Sequence, residues 1–265
     1  MPVFAFDLDG TICFGNGAIE GPILKTLTGL PTGIRVVIAS ARHPVNIAQA
    51  MPSALFDTWD IIGANGAIVQ SDGILKRAYY LRPGSARMIC AKLDALGCAY
   101  LAYGVDFVWP GKHPHALQRI VKNDIGEHLR LGNCDDLDHT VKILALPEAD
   151  AGAALSMCQG HSNVDVQSHS DNTFDVIPIG VNKARGLEDL MSDEPIFAAF
   201  GNDTNDVEML RMAQHAIAVG MHPSIRLLAD RIVPESADQI QHICQNITAL
   251  SRAALARNTA TKRRI

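Results

Sequence analysis

Residues Asp7, Leu8, Asp9, Gly10 and Thr11 directly follow the apolar run Val3 to Phe6, so two carboxylates stand two residues apart where a strand-like segment runs out. An uninterrupted apolar run, unlike an alternating one, marks a parallel strand covered on both faces. In open α/β sheets, ligands bind in the crevice beyond the carboxyl ends of such strands. Two like charges this close raise each other's proton affinity unless a cation lies between them. Oxygen donors alone suit a hard divalent ion, Mg²⁺ first. Taken by itself, Asp9-Gly10 is also compatible with a plain turn, the lesser of the two readings, and the rest of the chain decides between them.

The same strand pattern recurs. Arg35 to Ala39 is a second run, and Pro44 with Pro52 brackets a short helix after it. Ile61-Ile62 leads into the turn Gly63 to Ala67, while Ile196 to Phe200 and Ala216 to Val219 are two further buried strands. Strands alternating with helices at this spacing predict an α/β fold, a Rossmann-like doubly wound parallel sheet. The stretch from about Leu81 to Ile177 differs. Its helix-like run Ala86 to Leu96 is followed by Tyr100 to Trp109, a second helix-like run, and strand-like Val141 to Leu146. A third helix-like run from Asp150 and the strand-like segments Val164 to Gln167 and Thr173 to Ile177 complete it. The buried-strand pattern resumes only afterwards. An α+β module over 81–177, inserted into a core of 1–80 and 178–265, is therefore expected. A length of 265 residues, against a prior of roughly 150 per domain, agrees with two domains.

Composition narrows the partners. With 23 Lys+Arg against 28 Asp+Glu and a net charge of −5, the chain has no general attraction for nucleic acid or an anionic membrane, and neither is an expected partner. No uncharged apolar run reaches the roughly 18 residues that span a bilayer. The six cysteines form no CxxC and no compact pattern, which predicts free thiols and a cytoplasmic protein. A small molecule is the expected ligand, with the chain a monomer or homodimer.

The DLDGT segment after VFAF resembles the first motif of the haloacid dehalogenase (HAD) superfamily, and the chain as a whole resembles its Cof-type, subfamily IIB phosphatases. Three further motifs follow in the family's order. Ser40 after RVVIA matches the second-motif hydroxyl, with Arg42 where the family often has an arginine; Lys183 in IPIGVNKARGL matches the third; and Gly201-Asn202-Asp203-Thr204-Asn205-Asp206 after IFAAF resembles the fourth. Asn65-Gly66-Ala67 is similar to the family's turn after the third strand.

The resemblance implies phosphoryl transfer. Asp7 is then the nucleophile that forms an aspartyl phosphate, and Asp9 the group that protonates the leaving oxygen and later deprotonates water. Ser40 and Lys183 complete the catalytic set by holding and neutralising the phosphoryl oxygens. Gly10, Thr11, Arg42, Asn65 and Asn205 are expected at the substrate. Asp7, Asp9 through its backbone carbonyl, Asn202 and Asp206 are expected at Mg²⁺. The implied activity is a Mg²⁺-dependent phosphatase acting on small phosphorylated metabolites, sugar phosphates first, with the inserted cap setting specificity. A phosphomutase and a non-hydrolytic sugar-phosphate-binding regulator remain as alternatives. One departure stands out: the family usually has Asp directly after the fourth-motif Gly, where this chain has Asn202 and then Asp203.

Other features are read as structural. His113-Pro114-His115 has no third ligand nearby and is expected in a surface loop. Tyr100, Tyr103, Phe107 and Trp109 are expected in the core of the inserted module.

Overall fold

The computed structural model describes residues 1–15, 17–119, 129–147, 151–169, 171–191 and 195–262. Residues 120–128, part of the helix-like run expected after Trp109, and Asp150, where the third was expected to begin, lie outside the described residues. The chain divides into two compact units, Met1–Lys76 with Asn182–Ile265, and Arg77–Val181.

The first unit is built on strands β1 (Val3–Asp7), β2 (Arg35–Ala39), β3 (Asp60–Gly63), β4 (Ile68–Ser71), β5 (Ile74–Ala78), β12 (Ile196–Gly201), β13 (Ala213–Val219) and β14 (Arg231–Val233). They form one sheet in the order β14-β13-β12-β1-β2-β3-β4-β5. β1 is central and pairs in parallel with both β2 and β12. Its side chains alternate between two cores. Phe4 and Phe6 stack on Phe197 and Phe200 at 5.6 and 4.8 Å, while Val3 and Ala5 pack on the opposite face with Leu187 and Met209. Both faces being covered is why the strand reads as a continuous apolar run. The doubly wound sheet expected from the sequence is present, extended by three strands the apolar pattern did not show: β4, which turns back antiparallel to β3, β5 beyond it, and β14, parallel to β13 at the other edge.

The intervening strands β6 (Ala99–Tyr103), β7 (Phe107–Pro110), β8 (Arg130–Leu131), β9 (Lys142–Leu146), β10 (Val164–Ser168) and β11 (Phe174–Pro178) form the second unit's sheet, ordered β10-β11-β9-β6-β7-β8. Tyr100, Ala102, Ile143, Ala145, Phe174 and Val176 share one face, packed with side chains of the helices Ser85–Ala95 and Ala151–Gln159. Tyr100, Tyr103 and Phe107 are buried and Trp109 packs against this core. Among the described residues all cysteines are free, and no helix is long and apolar enough to cross a membrane.

Candidate active site

The site lies in the first unit, where β1 and β12 end. β1 stops at Asp7, and the chain turns at once: the amides of Thr11, Ile12 and Cys13 all reach the Leu8 carbonyl, at 3.3, 3.0 and 2.9 Å. Gly10 makes the turn at φ +77°, and a Cβ there would lie 2.2 Å from the Asn202 side-chain nitrogen. Only glycine serves both needs, the left-handed backbone and the close approach of the β12 loop.

Lys183 opens the helix Lys183–Leu190, whose N-cap Asn182 accepts the Arg185 amide at 2.9 Å. Two glycines set that helix against the sheet. A Cβ on Gly66, at φ +102°, would fall 2.0 Å from the Asn182 carbonyl oxygen, and one on Gly186 would meet Ile62 at 2.6 Å. So placed, the fully buried Lys183 ammonium donates to Asp7 Oδ1 at 2.5 Å and to Asp206 Oδ1 at 2.7 Å. Thr11 donates to the other Asp7 oxygen at 2.8 Å.

Burial, reinforced by the Asp206 carboxylate, pushes the Asp7 carboxyl up to about 7 even with Lys183 beside it. For Lys183 burial acts in the lowering direction, but Asp206 and Asp7 outweigh it and hold the ammonium above the ordinary lysine range. One lysine therefore stays charged between two carboxylates, and Asp7 carries the strain of incomplete compensation.

Asp206, expected to support the metal site, accepts the backbone N–H groups of Asn202 and Asp203 on Oδ2 at 2.8 and 3.1 Å, and Lys183 on Oδ1. The Asp203 side chain accepts the Thr204 amide, and Asp203 and Asp206 each accept the other's backbone amide, a capping box over the turn Thr204–Asp206. Gly201 is needed beneath it, since a Cβ would come 2.5 Å from that of Asp206. This loop holds the Asn202 side-chain oxygen 3.3 Å from Thr11 Oγ1.

Ser40 is buried after β2, and its Oγ accepts the Arg42 amide at 3.1 Å. Among the described residues the hydroxyl donates to nothing, which leaves its proton for a ligand oxygen. Arg42 does not reach into open space: Nε and Nη2 donate to the two Asp9 oxygens at 2.9 and 2.5 Å. Asn65 is fully buried at φ +56°, and its side-chain oxygen accepts from Asn205 at 3.3 Å. The structure thus brings Asp7, Thr11, Lys183, Asn202 and Asp206 into one connected cluster, with two smaller pairs, Asp9–Arg42 and Asn65–Asn205. A cavity of about 640 Å³ opens beside Gly10 and Asn202, walled by Phe14, Met221, His222 and Glu235; Asp7, Asp9, Ser40 and Lys183 are not among the residues that line it.

Among the described residues no three His, Cys, Asp or Glu side chains group as a metal site. The donor chemistry nevertheless fits a hard ion. Asp7 Oδ2 and Asn202 Oδ1 converge on a single Thr11 hydroxyl, whose one proton satisfies one of them. An oxygen-binding cation would serve both and relieve the charge that raises Asp7.

The chain matches the family of haloacid dehalogenase-like hydrolases over residues 4–239; it belongs to that family. A curated relative, the uncharacterized hydrolase C215.10 of Schizosaccharomyces pombe, is 23% identical over 261 residues, 86% of each chain. In fold the chain is similar to the HAD subclass IIB sugar phosphatase BT4131, with a TM-score of 0.75 at 16% identity, covering 94% of this chain and 98% of that one. It is equally similar to TM0651 from Thermotoga maritima, with a TM-score of 0.75 at 22% identity and coverage of 95% and 97%. At these identities the two structures speak for the fold.

Proposed function

We propose that this chain is a Mg²⁺-dependent phosphatase of small phosphorylated metabolites, sugar phosphates first, working through an aspartyl phosphate on Asp7. The observation that carries the reading is Asp7 itself: a buried carboxylate at the end of the central strand, one oxygen on Lys183 and the other on Thr11. Asp7 attacks phosphorus as the bond to the leaving oxygen breaks, and Asp9 gives that oxygen its proton. Water then attacks the phosphoaspartate, Asp9 takes its proton, and inorganic phosphate leaves with Asp7 restored. Lys183 holds charge on the nucleophile and the transferring group, and Ser40 donates to a phosphoryl oxygen. Mg²⁺ held by Asp7, the Asp9 carbonyl and Asn202 supplies further neutralisation of the phosphoryl charge. Asp206 supports that set by fixing the Asn202 backbone. Release of inorganic phosphate from p-nitrophenyl phosphate, followed by a panel of sugar and nucleotide phosphates, tests the reading; no release with Mg²⁺ present would overturn it.

Asn202 makes the proposed ion site short of charge. Asn202→Asp should tighten Mg²⁺ about tenfold, some 1.4 kcal/mol, because a hard cation gains a second carboxylate. Asp206→Ala should weaken Mg²⁺ more than Asp203→Ala, since Asp206 alone orders both loop amides and Lys183. Activity titrated against Mg²⁺ reads all three, and greatest damage from Asp203→Ala would move the acidic position to Asp203.

The second unit is proposed to set specificity as an inserted cap. Exchanging residues 81–177 for the corresponding segment of another family member should change the order of preferred substrates on a metabolite panel. An unchanged order would place recognition in the first unit.

A further inference from the structure

We infer that Arg42 is a positioning residue for the proton-transfer carboxyl Asp9 and not a contact for the substrate phosphate. The inference rests on the phosphatase reading above. All three guanidinium nitrogens have protein partners. Nε and Nη2 take the two Asp9 oxygens, at 2.9 and 2.5 Å, Nη1 donates to the Gly17 carbonyl at 3.0 Å, and Nη2 also lies 3.6 Å from the Cys13 sulfur. The backbone of Arg42 is tied to the same site, its amide to Ser40 Oγ and its carbonyl to the Ala64 amide at 2.7 Å. An arginine anchored at both ends cannot turn its fork to a phosphate without releasing Asp9 and Gly17.

Two parallel N–H···O bonds in one plane fix the orientation of a carboxylate as a single bond from lysine does not. Stability is a poor reason for the arrangement. The Asp9 side chain is 52% exposed and that of Arg42 23%, and exposed ion pairs contribute little to folding. Orientation is a good one, because Asp9 lies past the end of β1 on a loop whose turn, at Gly10, gives its side chain no packing of its own. The carboxyl that must meet a departing oxygen and then a water has its plane set by Arg42, and Gly17 and Ser40 set Arg42.

The leaving group separates a positioning role from a phosphate contact. An alkyl alcohol such as glycerol leaves poorly without a proton, whereas 2,4-dinitrophenolate leaves without one. Arg42→Gln should therefore lower kcat/KM, which reports the step that expels the leaving group, at least about tenfold more on glycerol 1-phosphate than on 2,4-dinitrophenyl phosphate, whereas kcat, which includes hydrolysis of the common phosphoaspartate, is not the diagnostic quantity. Arg42→Lys should recover part of that difference. Asp9→Asn should show the same selective loss, and adding Arg42→Gln to it should deepen the selectivity no further. Equal losses of kcat/KM on both esters would make Arg42 a phosphate contact, and no loss on either would make it a surface ion pair; each overturns the inference. Should Arg42→Gln fail to fold, Arg42→Lys carries the comparison, and wild-type selectivity in it is the contrary result. Wild-type enzyme that turns over neither ester defeats the phosphatase reading itself.

Discussion

Replacing Asp7 by Asn is expected to abolish turnover, by at least about ten-thousandfold, and to leave the protein folded. An amide cannot attack phosphorus, and groups that act as a unit with a lost nucleophile recover little of its contribution. Folding should survive because Asn keeps the shape of Asp7, its oxygen can accept from Lys183, and its NH2 can donate to the Thr11 hydroxyl, which rotates to accept. The sign of the stability change follows from the direction of the Asp7 shift. With its carboxyl raised from 3.8 to about 7, wild-type Asp7 favours the folded state fully at acid pH, and that contribution is lost as pH rises through about 7. Asn has no such loss. In metal-free buffer above about pH 7, Asp7→Asn should melt no lower than wild type, and melting curves at several pH values check it. Retained activity in this variant would contradict the assigned nucleophile.

Lys183→Met is expected to damage both activity and folding. Lys183 is buried between Asp7 and Asp206, at 2.5 and 2.7 Å, so its removal strands two carboxylates in a dry interior. Breaking a buried ion cluster in this way costs about 3–5 kcal/mol. The penalty should be smallest in acid. Asp7 already sits at about 7 with Lys183 in place, and without the ammonium its proton affinity can only rise, so in mild acid the site can neutralise itself. Above neutrality it cannot, and the gap between variant and wild type should widen. Turnover should fall about a thousandfold, the scale of removing a preorganised charge from a phosphoryl-transfer site. Lys183→Arg should restore little, because a planar fork does not fit a cavity shaped to a point charge. Denaturant unfolding at mildly acidic and mildly alkaline pH, with and without the lysine, reads the effect; a stability gap that does not grow with pH would sink this account of the cluster.

Much of this site is legible in the chain because parallel strands are buried on both faces. β1, β2 and β12 read as apolar runs, and the residues that follow each run, Asp7, Ser40 and Asn202, fall at the sheet's carboxyl edge by topology. β5 escaped for the opposite physical reason. Ile74, Leu75, Lys76 and Arg77 are all exposed, and an edge strand with neither face covered has no apolar period to show. The pairing of Arg42 with Asp9 was invisible as well. The two are 33 residues apart, and only the register of β2 beside β1 brings their loops together. The role of Asp206 did leave a signal: Asp203 and Asp206 have the spacing of a capping box, which marks Asp206 as a holder of backbone amides before it marks it as a ligand.

The most direct measurement is to quench the enzyme with acid while it turns over a phosphomonoester with Mg²⁺ and to locate phosphoryl groups on its peptides by mass. The phosphoaspartate mechanism predicts one phosphoryl group on the peptide that contains Asp7, absent without substrate and absent in Asp7→Asn. Steady release of inorganic phosphate with no phosphoryl group on that peptide, or with one at another residue, would contradict it.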